Sequence, residues 1–125
     1  MNIALISLGS NMTVGEKNMR DAISRIEEKA HSCRFSGIYE TEPEGEHRHA
    51  KYKNCVGEIY THESAEEWLR FFKELETAAG RNDALRKVGN VPLDIDLVQW
   101  NDEVLRPKDL AMDYMKTGLS ELSNQ

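Results

Sequence analysis

Hydrophobic residues along the chain fall into two rhythms. The run "IALISL", residues 3–8, has the length of a buried strand and stops at Gly9-Ser10-Asn11, a cluster of turn formers. Met19, Ala22, Ile23 and Ile26 then recur at helical spacing. Thr13 stands where it would cap that helix, with Glu16 three residues on as its reciprocal partner. In "HSCRFSGIYET" and "NCVGEIYTH", Cys33, Phe35 and Ile38, then Cys55, Val56, Ile59 and Tyr60, are set among polar residues, which predicts two strands. The polar stretch between them, "EPEGEHRHAKYKN", reads as a long loop, of a length that is often functional in compact domains.

Ser64 and Glu67 form a second capping box ahead of Trp68, Phe71, Phe72 and Leu75, predicting a long amphipathic helix from Ala65 to about Ala79, ended by Gly80. "RNDALRKVGNV" reads as a basic loop or turn before "VPLDIDLVQW", which alternates as a strand. Asn101-Asp102 predicts a turn, Val104-Leu105 a return strand, and Pro107 its end. The predicted order, strand, helix, strand, strand, helix, strand, is the split order of a ferredoxin-like α+β sandwich, an antiparallel sheet with both helices on one face. With no linker, repeat or low-complexity tract, residues 1–125 are expected to be a single domain.

Charge narrows the range of partners. Sixteen Lys plus Arg against 22 Asp plus Glu leave a net charge of −6, which argues against general affinity for nucleic acid or an anionic membrane surface. The opening apolar run is too short for a signal-peptide core or a membrane span and has no basic leader, so a cytosolic location is expected. Cys33 and Cys55 have no metal-ligand spacing and read as reduced, structural residues within strands.

Asp94 and Asp96 are the sharpest chemical feature. Side chains alternate along a strand, so the two carboxylates share a face and lie roughly 6 to 7 Å apart, close enough to repel unless water or a cation intervenes. Such a pair on a rigid sheet suits Mg²⁺, which takes one or two carboxylates plus substrate phosphates, although a solvated polar face is the commoner meaning of D-x-D. Arg81, Arg86 and Lys87 just upstream form a local basic cluster that could meet phosphates, or could be surface ion pairs of little consequence. Thr41, Tyr52 and Asn54 combine a hydroxyl, an aromatic face and an amide, a set that suits a flat heterocycle and equally suits the opening of a strand. His47 and His49 read as solvated loop histidines, and Glu76 as a helix acid able to meet a ligand at the helix end.

Five segments in order, "ISLGSN", "SGIYETEPEG", "YKNCVGEI", "ELETAAGR" and "PLDIDLVQWNDEVL", resemble the 6-hydroxymethyl-7,8-dihydropterin pyrophosphokinases of folate biosynthesis over residues 4 to about 110. The resemblance implies a ferredoxin-like sandwich that moves the terminal diphosphate of ATP to the pterin's hydroxymethyl oxygen and releases AMP. It implies that Asp94 and Asp96 hold two Mg²⁺ ions against the ATP phosphates. It also implies that Thr41, Tyr52, Asn54 and the backbone at Glu44 meet the pterin, and that Glu76, Arg81, Lys87 and Leu97 line the ATP side, with Arg86 a further basic candidate.

The chain also departs from the family pattern. Val91 stands three residues before Asp94, where the pattern has an arginine that meets the transferring phosphates, and Asp83 and Val88 replace a basic and an aromatic residue. Downstream, "AMDYMKTGLSEL" has no histidine or arginine; Tyr114 stands near the missing histidine, and Leu119 is the nearest counterpart of a second aromatic wall. An arginine on transferring phosphates is worth on the order of 10³ to 10⁵ in rate in other phosphoryl-transfer systems. The expectation is therefore a slow pyrophosphokinase, with two alternatives: a non-catalytic relative that binds ATP or a pterin, and an interaction module with no small-molecule site.

Overall fold

The computed structural model describes residues 1–41 and 51–125. Six strands, β1 (Asn2–Ser10), β2 (Ser32–Phe35), β3 (Tyr39–Thr41), β4 (Tyr52–Thr61), β5 (Asp94–Trp100) and β6 (Glu103–Val104), form one open sheet. All strand pairings are antiparallel, in the order β2-β4-β1-β5-β6 with β3 beside β4. Among the described residues five helices accompany the sheet: α1 (Gly15–Lys29), α2 (Ala65–Ala78), α3 (Asp83–Lys87), α4 (Pro107–Leu110) and α5 (Asp113–Ser123). This is the α+β ferredoxin-like arrangement, an antiparallel sheet with helices packed on it.

Alternation along the strands sorts the residues between the two faces. Ala4, Ile6, Leu8, Cys55, Ile59, Ile95 and Leu97 point to the face covered by α1 and α2, where they meet Met19, Ala22 and Ile26 of α1 and Trp68, Phe72 and Leu75 of α2. Each such large side chain contributes about 1.5–3 kcal/mol by leaving water. Trp68 and Thr61 are both fully buried, and the indole Nε1 donates to Thr61 Oγ1 at 2.9 Å, so burial leaves no orphaned donor. Ser64 caps α2 by accepting from the Glu67 amide, as its position predicts.

The start of α1 differs from expectation. Val14 occupies the cap position, and no side chain caps the helix. The chain instead enters through a turn in which Ser10 Oγ accepts from Met12 N and Gly15 N donates to Met12 O, so the hydroxyl closing the turn belongs to Ser10 and not to Thr13. The segment expected as one strand over residues 31–41 is two, because at Ser36 the backbone and the hydroxyl both turn to Val56. The "basic loop" before β5 is in part the short helix α3, capped by Asn82 through the Leu85 amide.

The second face carries an element that the apolar pattern does not predict. Helix α5 packs Met115 and Leu122 onto Val56 and Val98, with Leu119 against the same cluster. It is stitched to the β2–β3 connection: Arg34 Nη1 donates to Leu122 O at 3.1 Å, Gly37 N to Glu121 Oε1 at 2.6 Å, and the Tyr39 hydroxyl to Tyr114 O. Gly118 permits this approach, since a Cβ there would collide with Val56 of β4. Because α5 covers only part of this face, the ends of β1, β4 and β5 nearest Gly9, Asn54 and Asp94 stay open.

Candidate functional site

The open part of the second face is a cavity of about 780 Å³. Cross-strand register builds its floor: Asn54 stands opposite both Tyr39 and Gly9, and Gly9 stands opposite Asp94, while Thr41 faces Tyr52 and Ser7 faces Asp96. Thr41, Tyr52, Asn54, Asp94 and Asp96, five residues singled out from sequence, therefore line one cavity.

Tyr52 lies across the backbone of Gly9, where a Cβ would collide with its ring. Glycine is thus required there for a flat aromatic surface on the floor. Burial, then the nearby Asp94 and Asp96 carboxylates, raise the Tyr52 phenol above its ordinary range and keep it neutral. Asn54 Nδ2 donates to Thr41 Oγ1 at 2.6 Å, and the Thr41 hydroxyl donates to Tyr52 O at 3.3 Å, which fixes the amide plane beside the ring.

The two aspartates have different neighbours. Asp94 Oδ1 meets Arg81 Nη1 at 2.8 Å, and the same nitrogen meets Glu76 Oε2 at 2.7 Å. Glu76 Oε2 also accepts from Ile95 N at 2.9 Å, so Glu76 and Arg81 tie the end of α2 to the start of β5. Burial raises the Glu76 carboxyl, against the opposing pull of the Ile95 amide and Arg81. Among the described residues the cation nearest Asp96 in an ion pair is Arg106, whose Nη1 is 3.8 Å from its Oδ1. Burial, then the Asp94 carboxylate beside it, push Asp96 up to about 8. This is a carboxylate short of positive charge.

Such a donor set fits a hard divalent cation. Two carboxylates on one rigid strand, one of them uncompensated, supply the share of ligands that Mg²⁺ takes from a protein when phosphate oxygens and water supply the rest. Among the described residues no three His, Cys, Asp or Glu side chains gather into a metal cage, so any cation here would share its shell with a ligand.

The other predicted site residues are placed elsewhere. Glu76 and Arg81 stand behind Asp94 and do not line the cavity. Arg86 and Lys87 are exposed on α3 and also lie outside the lining. Leu97 does not line the cavity: with its neighbours Asp96 and Val98 facing the cavity side, its side chain points into the α1–α2 core and is 4% exposed. Leu119, on α5, packs partly buried against the Val56–Val98 cluster and does not line the cavity. Glu44, His47 and His49 lie outside the described residues.

Three further groups line the cavity; of these the sequence marks only Tyr114, near the missing histidine. Asn11, read as part of a turn, clamps the segment before β5: its Nδ2 donates to Gly89 O at 2.7 Å and its Oδ1 accepts from Val91 N at 2.7 Å. Tyr114, brought in by α5, joins the wall, its phenol pushed up to about 12 by burial and then by Asp109. Arg106 and Asp109 enter from the turn into α4, where Arg106 Nε donates to Asp109 Oδ2. An arginine before a proline carries no sequence signal that it will face a carboxylate ten residues upstream.

Comparison with known proteins agrees with this geometry. The family profile of 7,8-dihydro-6-hydroxymethylpterin-pyrophosphokinase matches residues 5–124. A 2-amino-4-hydroxy-6-hydroxymethyldihydropteridine pyrophosphokinase of Bacillus subtilis is 31% identical over 115 residues, covering 90% of this chain and 68% of the relative. The enzyme of that name from Haemophilus influenzae is 28% identical over 116 residues, covering 91% and 72%. A folic acid synthesis protein, FOL1, of Dictyostelium discoideum is 26% identical over 113 residues; there the match covers 90% of this chain and 17% of the much longer relative. Among the described residues no helix is long and apolar enough to cross a membrane.

Proposed function

The chain belongs to the 7,8-dihydro-6-hydroxymethylpterin-pyrophosphokinase family, and from that premise we propose that it transfers diphosphate from ATP to 6-hydroxymethyl-7,8-dihydropterin in folate biosynthesis. The observation that carries this reading is the single cavity joining an aromatic-and-amide floor, Tyr52, Asn54 and Thr41, to the carboxylate pair Asp94 and Asp96. One end suits a flat, hydrogen-bonding heterocycle and the other a metal-bound polyphosphate.

In the reaction the pterin's hydroxymethyl oxygen bonds to the β-phosphorus of ATP. The bond from that phosphorus to the oxygen bridging it to the α-phosphorus breaks, AMP leaves with that oxygen, and the hydroxyl proton is released. Asp94 and Asp96 would hold Mg²⁺, two ions by the family resemblance, and the metal would supply charge neutralisation of the phosphates. Tyr52 stacks the pterin over Gly9. Asn54, its plane fixed by Thr41, orients the ring so that the hydroxymethyl group points along the floor toward Asp94 and Asp96. Arg81 and Glu76 act at one remove: they hold Asp94 in place, and Asp96 is left facing Arg106 and an incoming cation. A cytoplasmic setting suits an enzyme of these soluble substrates.

Val91 favours a second reading, a relative that binds ATP or a pterin without turnover, because valine can neither donate a hydrogen bond nor neutralise a phosphate. Chromatography of a reaction with ATP, Mg²⁺ and 6-hydroxymethyl-7,8-dihydropterin separates the two. Stoichiometric AMP and pterin diphosphate, dependent on the pterin, are expected. Calorimetric binding of both ligands without AMP would establish the second reading instead.

A further inference from the structure

We propose that Arg106 is a catalytic residue that meets the transferring phosphates, in place of the arginine that Val91 lacks; the inference rests on the diphosphate-transfer reading above. Among the described residues lining the cavity, Arg106 is the one lysine or arginine, whereas Asp94, Asp96, Asp109 and Asp113 make the rest of that end acidic. A polyphosphate entering beside Asp94 and Asp96 needs cationic help from the protein as well as from a metal. The basic side chains picked out upstream do not reach: Arg81 is engaged with Glu76 and Asp94, and Arg86 and Lys87 lie on the exposed helix α3.

The placement of Arg106 is built rather than incidental. Its amide and that of Leu105 both donate to Val98 O, two residues past Asp96, so the backbone of the turn is pinned to β5. Its Nε is held by Asp109, which leaves the Nη edge of the guanidinium toward Asp96 Oδ1 at 3.8 Å, too long for a good hydrogen bond and open to a better acceptor. Its side chain remains about half exposed, at 49%. Phosphate oxygens bound beside Asp96 would fall within reach of that edge, and a guanidinium is the side chain suited to bridging two of them.

The test compares Arg106→Gln, Arg106→Lys and Asp109→Asn with the unaltered protein, using calorimetry with Mg²⁺ and a non-hydrolysable ATP analogue, calorimetry with AMP, and AMP release with pterin present. For Arg106→Gln the expected results are a loss of analogue affinity of about 10-fold or more, unchanged AMP affinity, and a fall in kcat/KM of roughly 10²–10³. Arg106→Lys should recover part of each loss, and Asp109→Asn should do much less harm than Arg106→Gln. An Arg106→Gln protein with analogue affinity and kcat/KM like those of the unaltered protein overturns the proposal. So do equal losses in Arg106→Gln and Asp109→Asn, which would make Arg106 only a structural partner of Asp109. If the unaltered protein binds the analogue but releases no AMP, the diphosphate-transfer reading fails, and Arg106 stands or falls as a phosphate contact by the binding data alone.

Discussion

From β5, Ile95 and Leu97 point into a dry core sealed by two helices, while Asp94 and Asp96 point the other way, into a cavity. The two faces of one sheet thus come from the same alternation and have opposite fates. The first face satisfies its neighbours completely: apolar side chains interlock, and Trp68, whose indole N–H is the large polar group there, has its partner in Thr61. Among the described residues the second face is completed only in part, where α5 seals Val56 and Val98; the open part holds carboxylates close together. Carboxylates held close together are costly for a fold and useful for binding a cation, so under the proposed function the open part is where stability is given up for chemistry.

The contrast can be broken at the closed face first. Trp68→Ala should cost about 3–5 kcal/mol through the lost burial and the cavity left behind, read as a lower urea midpoint. The open face should behave in the opposite sense. Asp96 is raised from 3.8 to about 8 in the folded, ion-free protein, so between those values the folded state holds a proton that the unfolded chain has released. Stability should therefore fall as pH rises across that window and level off above it. Asp96→Asn should remove the slope and make the ion-free protein more stable at pH 8, by on the order of 2 kcal/mol after allowing for solvent screening, with no gain at pH 4. Thermal melts with a chelator at the two pH values check the sign.

Smaller changes sharpen the comparison. Gly9→Ala should push the Tyr52 ring off the floor at roughly 1–2 kcal/mol in stability, with pterin affinity falling about 10-fold by calorimetry while AMP affinity holds. Ser64→Ala should cost only about 1 kcal/mol, because it removes one cap from α2 and leaves the site untouched; a denaturation curve measures it.

How much of this was legible in the sequence follows the same division. Period-two and helical spacing are local, so β1, β4, β5, α1 and α2 and the shared face of Asp94 and Asp96 could be read directly. The resemblance to a known family added Thr41, Tyr52 and Asn54 as a set, and the register of β1, β3, β4 and β5 brings all three into the aspartates' cavity. What could not be read depends on distant chain. Helix α5 owes its place to Arg34, Gly37 and Tyr39, some 75 to 88 residues away, and its own apolar stripe is short. Thr13 falls inside the turn, one residue short of the cap position at Val14, and the turn is closed by Ser10 from the end of β1; the role of Asn11 depends on a loop almost 80 residues on. For Leu97 the resemblance carries a residue over by position, whereas strand alternation decides that its side chain turns into the core.

The most direct test measures the initial rate of AMP release and the melting temperature on the same samples of the unaltered protein and Asp96→Asn, with ATP, Mg²⁺ and 6-hydroxymethyl-7,8-dihydropterin at pH 8. Pterin-dependent AMP release that falls by at least about 10²-fold in a variant whose ion-free melting temperature is equal or higher is the predicted result. Undiminished AMP release in Asp96→Asn, or its loss together with a lower melting temperature, would contradict the account.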